Sequence, residues 1–155
     1  MILESDSPQA THEIGRRLGR ALGPGHVVAL TGPLGSGKTT LVRGIADGAG
    51  VADLRQVSSP TFIIVNEYET IGSLRIYHVD TYRLGGSDDL EVLGFDEMTR
   101  VGAVLVEWAD RVADLLPADR LSIQLEPLAA DRRRLHCRAE GAGTRILLEA
   151  LGPRA

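Results

Sequence analysis

The chain has 155 residues, 43% apolar and 25% charged, the size and balance of one soluble globular domain expected to span residues 1–155. No apolar run approaches the length needed to cross a bilayer, and residues 1–6 lack the basic and apolar regions of a secretory signal, so a cytoplasmic protein without membrane contact is expected. A net charge of −4 argues against gripping nucleic acid over a broad face, and one cysteine, Cys137, excludes an internal disulfide and any multi-cysteine metal site.

Ser7-Pro8 predicts a helix start, and Ile14, Leu18, Ala21 and Leu22 form its apolar stripe before Gly23-Pro24-Gly25 ends it. Residues 26–30 read as a buried strand, and Leu41, Val42, Ile45, Ala46 and Ala49 recur at helical spacing until Gly48 and Gly50. Residues 51–59 read as a connecting loop. Two strand-like runs, 62–68 and 74–80, flank Thr70-Ile71-Gly72-Ser73 and predict a hairpin, which makes the sheet mixed. Residues 85–89 predict a loop and cap leading into a short helix with Leu90 and Leu93. Residues 101–106 are a continuous apolar run suited to a central strand. Residues 121–125 alternate, 135–137 read as their partner strand after a turn, and 144–151 as a closing helix. The fold class expected is α/β, a mixed sheet with a parallel core and antiparallel hairpins, flanked by helices.

Between the first strand and its helix lies Thr31-Gly32-Pro33-Leu34-Gly35-Ser36-Gly37-Lys38-Thr39-Thr40, a match to the phosphate-binding pattern G-x-x-x-x-G-K-[ST]. Glycines let the chain curl until backbone N–H groups point at phosphate oxygens, and the helix that follows adds the positive end of its dipole. Lys38 is expected at the β- and γ-phosphates and the Thr39 hydroxyl on Mg²⁺. Lys38 is also the only lysine in the chain, all other basic positions being arginine. A flexible point charge is therefore retained where a planar guanidinium would not substitute.

Hydrolysis needs a completed metal site and a water placed against the γ-phosphate. Glu107 ends an apolar strand and is expected to support Mg²⁺; Asp80 ends another and is expected to order the attacking water, unless it only caps the following turn. The period of two places His78 on the same strand face as Asp80, where a structural role is the commoner one for a lone histidine. Residues 58–62 lie where nucleotide-sensing segments occur, making Thr61 a candidate for contact with Mg²⁺ or the γ-phosphate. Trp108 would pack near the nucleotide or in the core. One of Arg132, Arg133, Arg134 or Arg138 would meet the base or a phosphate, or the cluster would guard an exposed edge. Guanine recognition by N-K-x-D is impossible when the only lysine is already in the loop, so ATP is favoured by elimination.

The phosphate loop, then Ser59-Pro60-Thr61-Phe62, then His78-x-Asp80-x-Tyr82-Arg83, then Glu107-Trp108, in this order and spacing, resemble the TsaE (formerly YjeE) family. That family comprises bacterial ATPases required for making threonylcarbamoyladenosine (t6A) in tRNA, and the similarity runs from about Gln9 to Leu151. The resemblance implies a P-loop NTPase-like mixed-sheet fold that binds ATP and Mg²⁺. It also implies weak hydrolysis until the chain joins TsaD and TsaB, with tRNA met only indirectly through the complex. The threonylcarbamoyl transfer would belong to TsaD, and ATP turnover would reset the complex. By position, Thr39 and Glu107 would be the magnesium ligands; Gly35, Ser36, Gly37, Lys38, Thr39 and Thr40 the phosphate contacts; and Thr11 a contact near the adenine end. Asp80, with Lys38, would carry catalysis, and Arg132 or Arg133 would be a late arginine near the nucleotide. Two positions depart from the family pattern: Pro33 stands where aspartate is common, and Asp131 where a glycine precedes the arginines.

Two other functions fit the residues alone. A small-molecule kinase would use Asp80 as base and Arg83 to grip its product, although no long insertion supplies a lid. A nucleotide-gated binding module would use slow hydrolysis as a timer.

Overall fold

The computed structural model describes residues 1–58 and 65–153. Its strands are β1 (Ile2–Ser5), β2 (Val27–Thr31), β3 (Val65–Glu69), β4 (Arg75–Asp80), β5 (Ala103–Glu107), β6 (Leu121–Pro127) and β7 (Arg133–Ala139). The helices are α1 (Pro8–Ala21), α2 (Lys38–Ala49), α3 (Ser87–Val92), α4 (Phe95–Val101) and α5 (Arg145–Ala150). Among the described residues the strands form one sheet in the order β1-β7-β6-β2-β5-β4-β3. The core β6-β2-β5-β4 is parallel, and both edges are antiparallel, β3 against β4 on one side and β7 and β1 on the other. This is the mixed α/β sheet expected from the sequence.

Alternation along the central strands divides the core between the two faces. Val28 and Leu30 of β2 and Leu105 of β5 face Leu18 of α1, Leu41 and Ile45 of α2 and Leu147 of α5. Val27 and Ala29, with Val104 and Val106, face Leu90 of α3 and Phe95 and Met98 of α4. Strands covered on both faces are apolar throughout, which is why β2 and β5 were legible as uninterrupted runs.

α1 begins as its sequence implies: the Ser7 side chain accepts from the Ala10 N–H at 3.1 Å, and Pro8 occupies the first turn. Elsewhere the boundaries move. Val101 ends α4, and the extended Gly102 precedes β5, so the apolar run 101–106 straddles a helix end and a strand start. Leu90 is buried in α3, but Leu93 caps that helix and is 41% exposed, because Gly94 at φ 85° breaks the chain into a second helix. The short strand β1 was not anticipated; it is defined by pairing with β7, Ile2 opposite His136 through Ser5 opposite Arg133. Residues 62–64 of the expected first hairpin strand lie outside the described residues.

α1 and α2 approach so closely that glycines meet backbone. A Cβ on Gly44 would stand 2.2 Å from the His12 carbonyl oxygen, one on Gly48 2.1 Å from that of Arg16, and one on Gly19 2.1 Å from that of Ile45. The signal was present in the sequence, as glycines four apart on each helix (Gly15 and Gly19, Gly44 and Gly48), which share a helix face. Helix propensity alone favours Gly44→Ala by about 1 kcal/mol. Overpacking against a fixed carbonyl reverses the sign, and the variant is expected to be less stable by about 1–3 kcal/mol. A urea midpoint at or above that of the parent would contradict this.

Candidate functional site

The phosphate-loop pattern occupies the turn from β2 into α2, a helix of 12 residues. Gly37 caps that helix in the left-handed region at φ 99°, with Lys38 and Thr39 in its first turn. Gly32, at φ 145°, is the tightest point: a Cβ there would lie 2.6 Å from the Leu125 carbonyl oxygen and 2.7 Å from Ser36 Oγ. The loop therefore curls against β6, and the glycines are required by space as well as by backbone conformation.

A cleft of ≈ 310 Å³ opens over this turn, lined by Leu34, Gly35, Ser36, Gly37, Lys38, Thr39, Thr40, Glu107, Trp108 and Arg133. Of the residues expected from the sequence to hold phosphate or metal, Gly35, Ser36, Gly37, Lys38, Thr39, Thr40, Glu107 and Arg133 thus border one space. The Lys38 ammonium donates to the carbonyls of Gly32 at 2.7 Å and Pro33 at 2.9 Å and lies 4.2 Å from the centre of the Trp108 ring. Burial lowers the Lys38 pKa from its ordinary value, while the negative charges of Glu107, Asp80 and Asp110 act to raise it. Two of these three, Glu107 and Asp80, are the carboxylates the sequence singles out for metal and water.

The strand ends explain that gathering. In the parallel pairing of β4 with β5, Asp80 stands opposite Glu107, and β5 neighbours β2, which leads into the loop. Carboxylates from two strands thus reach the carboxyl edge of the sheet beside a helix N-terminus, the usual place for a ligand in an open α/β sheet. Glu107 is 1% exposed. Its Oε1 accepts from the Thr39 hydroxyl at 3.3 Å, and its Oε2 is 2.5 Å from His78 Nε2. Asp80 is half-buried, and its Oδ1 accepts from the Tyr82 N–H at 2.9 Å, so it does cap the following turn while standing at the site.

Trp108 is one of two non-glycine residues with positive φ among those described, at φ 57° and ψ 40°. Thr81 holds it there: the Thr81 N–H donates to the Glu107 carbonyl at 3.2 Å and the hydroxyl to the Trp108 carbonyl at 2.6 Å. The indole then covers Lys38 and is itself flanked by Tyr82, ring centres 4.9 Å apart, with the Arg111 guanidinium 4.8 Å from the Tyr82 ring centre. Sequence reasoning missed Thr81. No signal in the sequence could have found it, because Thr81 meets Trp108 only through the pairing of β4 with β5, which sets Asp80 opposite Glu107.

The remaining expected residues divide. Arg133 Nε donates to the Ser36 carbonyl at 2.9 Å and Nη2 to that of Gly35 at 3.1 Å, while Nη1 reaches Ala129 and Ala130, so this arginine buckles the loop to the β6–β7 turn. Arg132 points instead to Glu4, at 3.4 Å, on the β1 edge. Thr11 is buried at the start of α1, hydrogen-bonded to Ser5 at 2.7 Å, with its methyl 4.0 Å from where a Gly37 Cβ would sit. Thr61, with the rest of Ser59-Pro60-Thr61-Phe62, lies outside the described residues.

Comparison with known proteins supplies the relationship. A family model described as threonylcarbamoyl adenosine biosynthesis protein TsaE matches residues 5–135. The tRNA threonylcarbamoyladenosine biosynthesis protein TsaE of Bacillus subtilis is 40% identical over 146 residues, covering 94% of this chain and 89% of that one. Its counterpart of the same name in Treponema pallidum is 39% identical over 132 residues, covering 84% and 95%. The crystal structure of Bacillus subtilis YdiB superposes with a TM-score of 0.79 at 33% identity, covering 97% of this chain and 93% of that one. With most of its length matched in sequence and nearly all of it in fold, the chain belongs to the TsaE family.

Proposed function

We propose that this chain is the Mg²⁺-dependent ATPase subunit of t6A formation on tRNA, binding ATP in the cleft above the β2–α2 turn and acting with TsaD and TsaB. The family is one of threonylcarbamoyladenosine biosynthesis by name, and no described helix is long and apolar enough to cross a membrane. The observation that carries the ATPase assignment is the meeting of Thr39 and Glu107, 68 residues apart, within 3.3 Å at the first turn of α2.

The donor set fits the ligand. A hydroxyl and a carboxylate are hard oxygen donors of the kind Mg²⁺ takes, alongside substrate phosphates and water. The loop beside them is packed so closely against β6 that Gly32 has no room for a Cβ, and the ammonium of Lys38 lies on the cleft wall. Thr39 and Glu107 would hold Mg²⁺, which when bound neutralises charge on the β- and γ-phosphate oxygens. Lys38, now on the loop carbonyls, would transfer its donors to phosphate oxygens, and the N–H groups of residues 35–40 would orient the chain of phosphates. Asp80 would hold the hydrolytic water by its carboxylate.

Phosphate release with ATP and Mg²⁺, measured with and without purified TsaD and TsaB, tests this. Slow release by the chain alone and faster release with both partners is expected, with no phosphorylated acceptor formed. Absence of release under both conditions would overturn the assignment, and a phosphorylated small molecule would replace it with a kinase.

A further inference from the structure

The second nitrogen-bearing ring at the site has no part in that scheme. His78 is completely buried, and both of its ring nitrogens are engaged. Nε2 lies 2.5 Å from Glu107 Oε2, and Nδ1 lies 3.0 Å from the hydroxyl of Tyr68, itself 2% exposed. The three side chains come from adjacent strands β3, β4 and β5 and point to the same face: Tyr68 is opposite Ile76, His78 is two residues further along β4 and opposite Leu105, and Glu107 is two residues further along β5. A line of polar contacts thus crosses the sheet interior and ends on the carboxylate that meets Thr39.

We propose that His78, backed by Tyr68, is a positioning residue that locks the Glu107 carboxylate with Oε1 turned toward Thr39 and the cleft, where it can take the metal of bound MgATP. The inference rests on the MgATP assignment above. With the Tyr68 O–H donating to Nδ1, the Nε2–H is left to donate to Oε2, so that the hydroxyl selects the ring tautomer and the ring selects the carboxylate rotamer. A polar chain in this place is costly to bury, and apolar residues of similar volume would pack as well for stability alone. Its use is that one oxygen of Glu107 is spent on the protein and the other is presented.

Trp108 provides a readout independent of turnover, being the only tryptophan in the chain and lying over Lys38. Its fluorescence is followed during Mg²⁺ titration of the full chain with saturating ATP, and during ATP titration in EDTA. His78→Leu is expected to raise the Mg²⁺ concentration at half-saturation by about 10–100-fold, the usual range when an outer partner of a metal ligand is lost. ATP binding without metal is expected to be unchanged. His78→Gln, whose amide N–H can reach the same carboxylate, is expected to recover most of the loss, and Tyr68→Phe to shift half-saturation in the same direction by a smaller factor.

An unchanged half-saturation in folded His78→Leu, or a loss that His78→Gln does not reverse, would overturn the proposal. Should His78→Leu not fold, Tyr68→Phe decides: a raised half-saturation supports the relay, and a parental value refutes it. A parent protein with no Mg²⁺-dependent response to ATP would defeat the ATPase assignment and the relay together. A responsive parent with indifferent variants defeats the relay alone.

Discussion

Lys38→Ala is expected to weaken ATP binding by about 100-fold or more, measured by isothermal calorimetry. Hydrogen bonds to a charged group contribute about 1.5–3 kcal/mol each, and each 1.4 kcal/mol is tenfold in affinity, so the loss of two phosphate contacts, or of one at the top of that range, gives this factor. No other lysine exists to compensate, and the arginine on the cleft wall, Arg133, is committed to the carbonyls of Ser36, Gly35 and the β6–β7 turn. Fold stability is expected to change little, because Gly32 is only partly buried and Pro33 is exposed, so water can take the place of the ammonium on their carbonyls. Lys38→Arg is also expected to bind weakly. A planar guanidinium is bulkier than the ammonium now held between two loop carbonyls and the face of Trp108, and it cannot present its donors as a point charge. Parental affinity in Lys38→Ala would remove the lysine from the binding site.

The features read correctly in advance were those written in consecutive residues. The turn from β2 into α2, the apolar strand before it and the hairpin of β3 with β4 each occupy one stretch, with the period or the turn residues inside it. What escaped was decided by partners far along the chain. β1 is four residues that become a strand only because β7 offers an edge, and nothing within Ile2–Ser5 announces it. The tie between His78 and Glu107 spans 29 residues and exists because β4 and β5 run parallel with Asp80 opposite Glu107. Period-two reasoning placed His78 beside Asp80 on one face of β4, which is correct; it could not say which residue of a neighbouring strand that face would meet. Arg133 shows the opposite limit. Its charge suggests a nucleotide contact, and it does border the cleft; the sequence does not show that its donors also tie down the loop, through the carbonyls of Ser36 and Gly35.

Asp80→Asn separates the turn-capping role of that side chain from the hydrolytic role proposed for it. One is local: Oδ1 accepts from the Tyr82 N–H, and an asparagine oxygen can do the same, so the turn leaving β4 is expected to survive. The other depends on charge, since Asp80 stands opposite Glu107 and is one of the three carboxylates that raise the Lys38 pKa. Replacing it with a neutral amide removes a negative charge from the neighbourhood of a triphosphate, so ATP affinity is expected to stay the same or rise slightly. Hydrolysis is expected to fall, because an amide can neither accept the proton of the attacking water nor orient it as a carboxylate does. General-base assistance is typically worth 10²–10⁴-fold, so phosphate release is expected to drop by about 100-fold or more while calorimetry still registers binding. A variant that binds ATP and turns it over at the parental rate would leave Asp80 with only the turn to cap. The hydrolytic water would then have to be held by another group at the ends of β4 and β5.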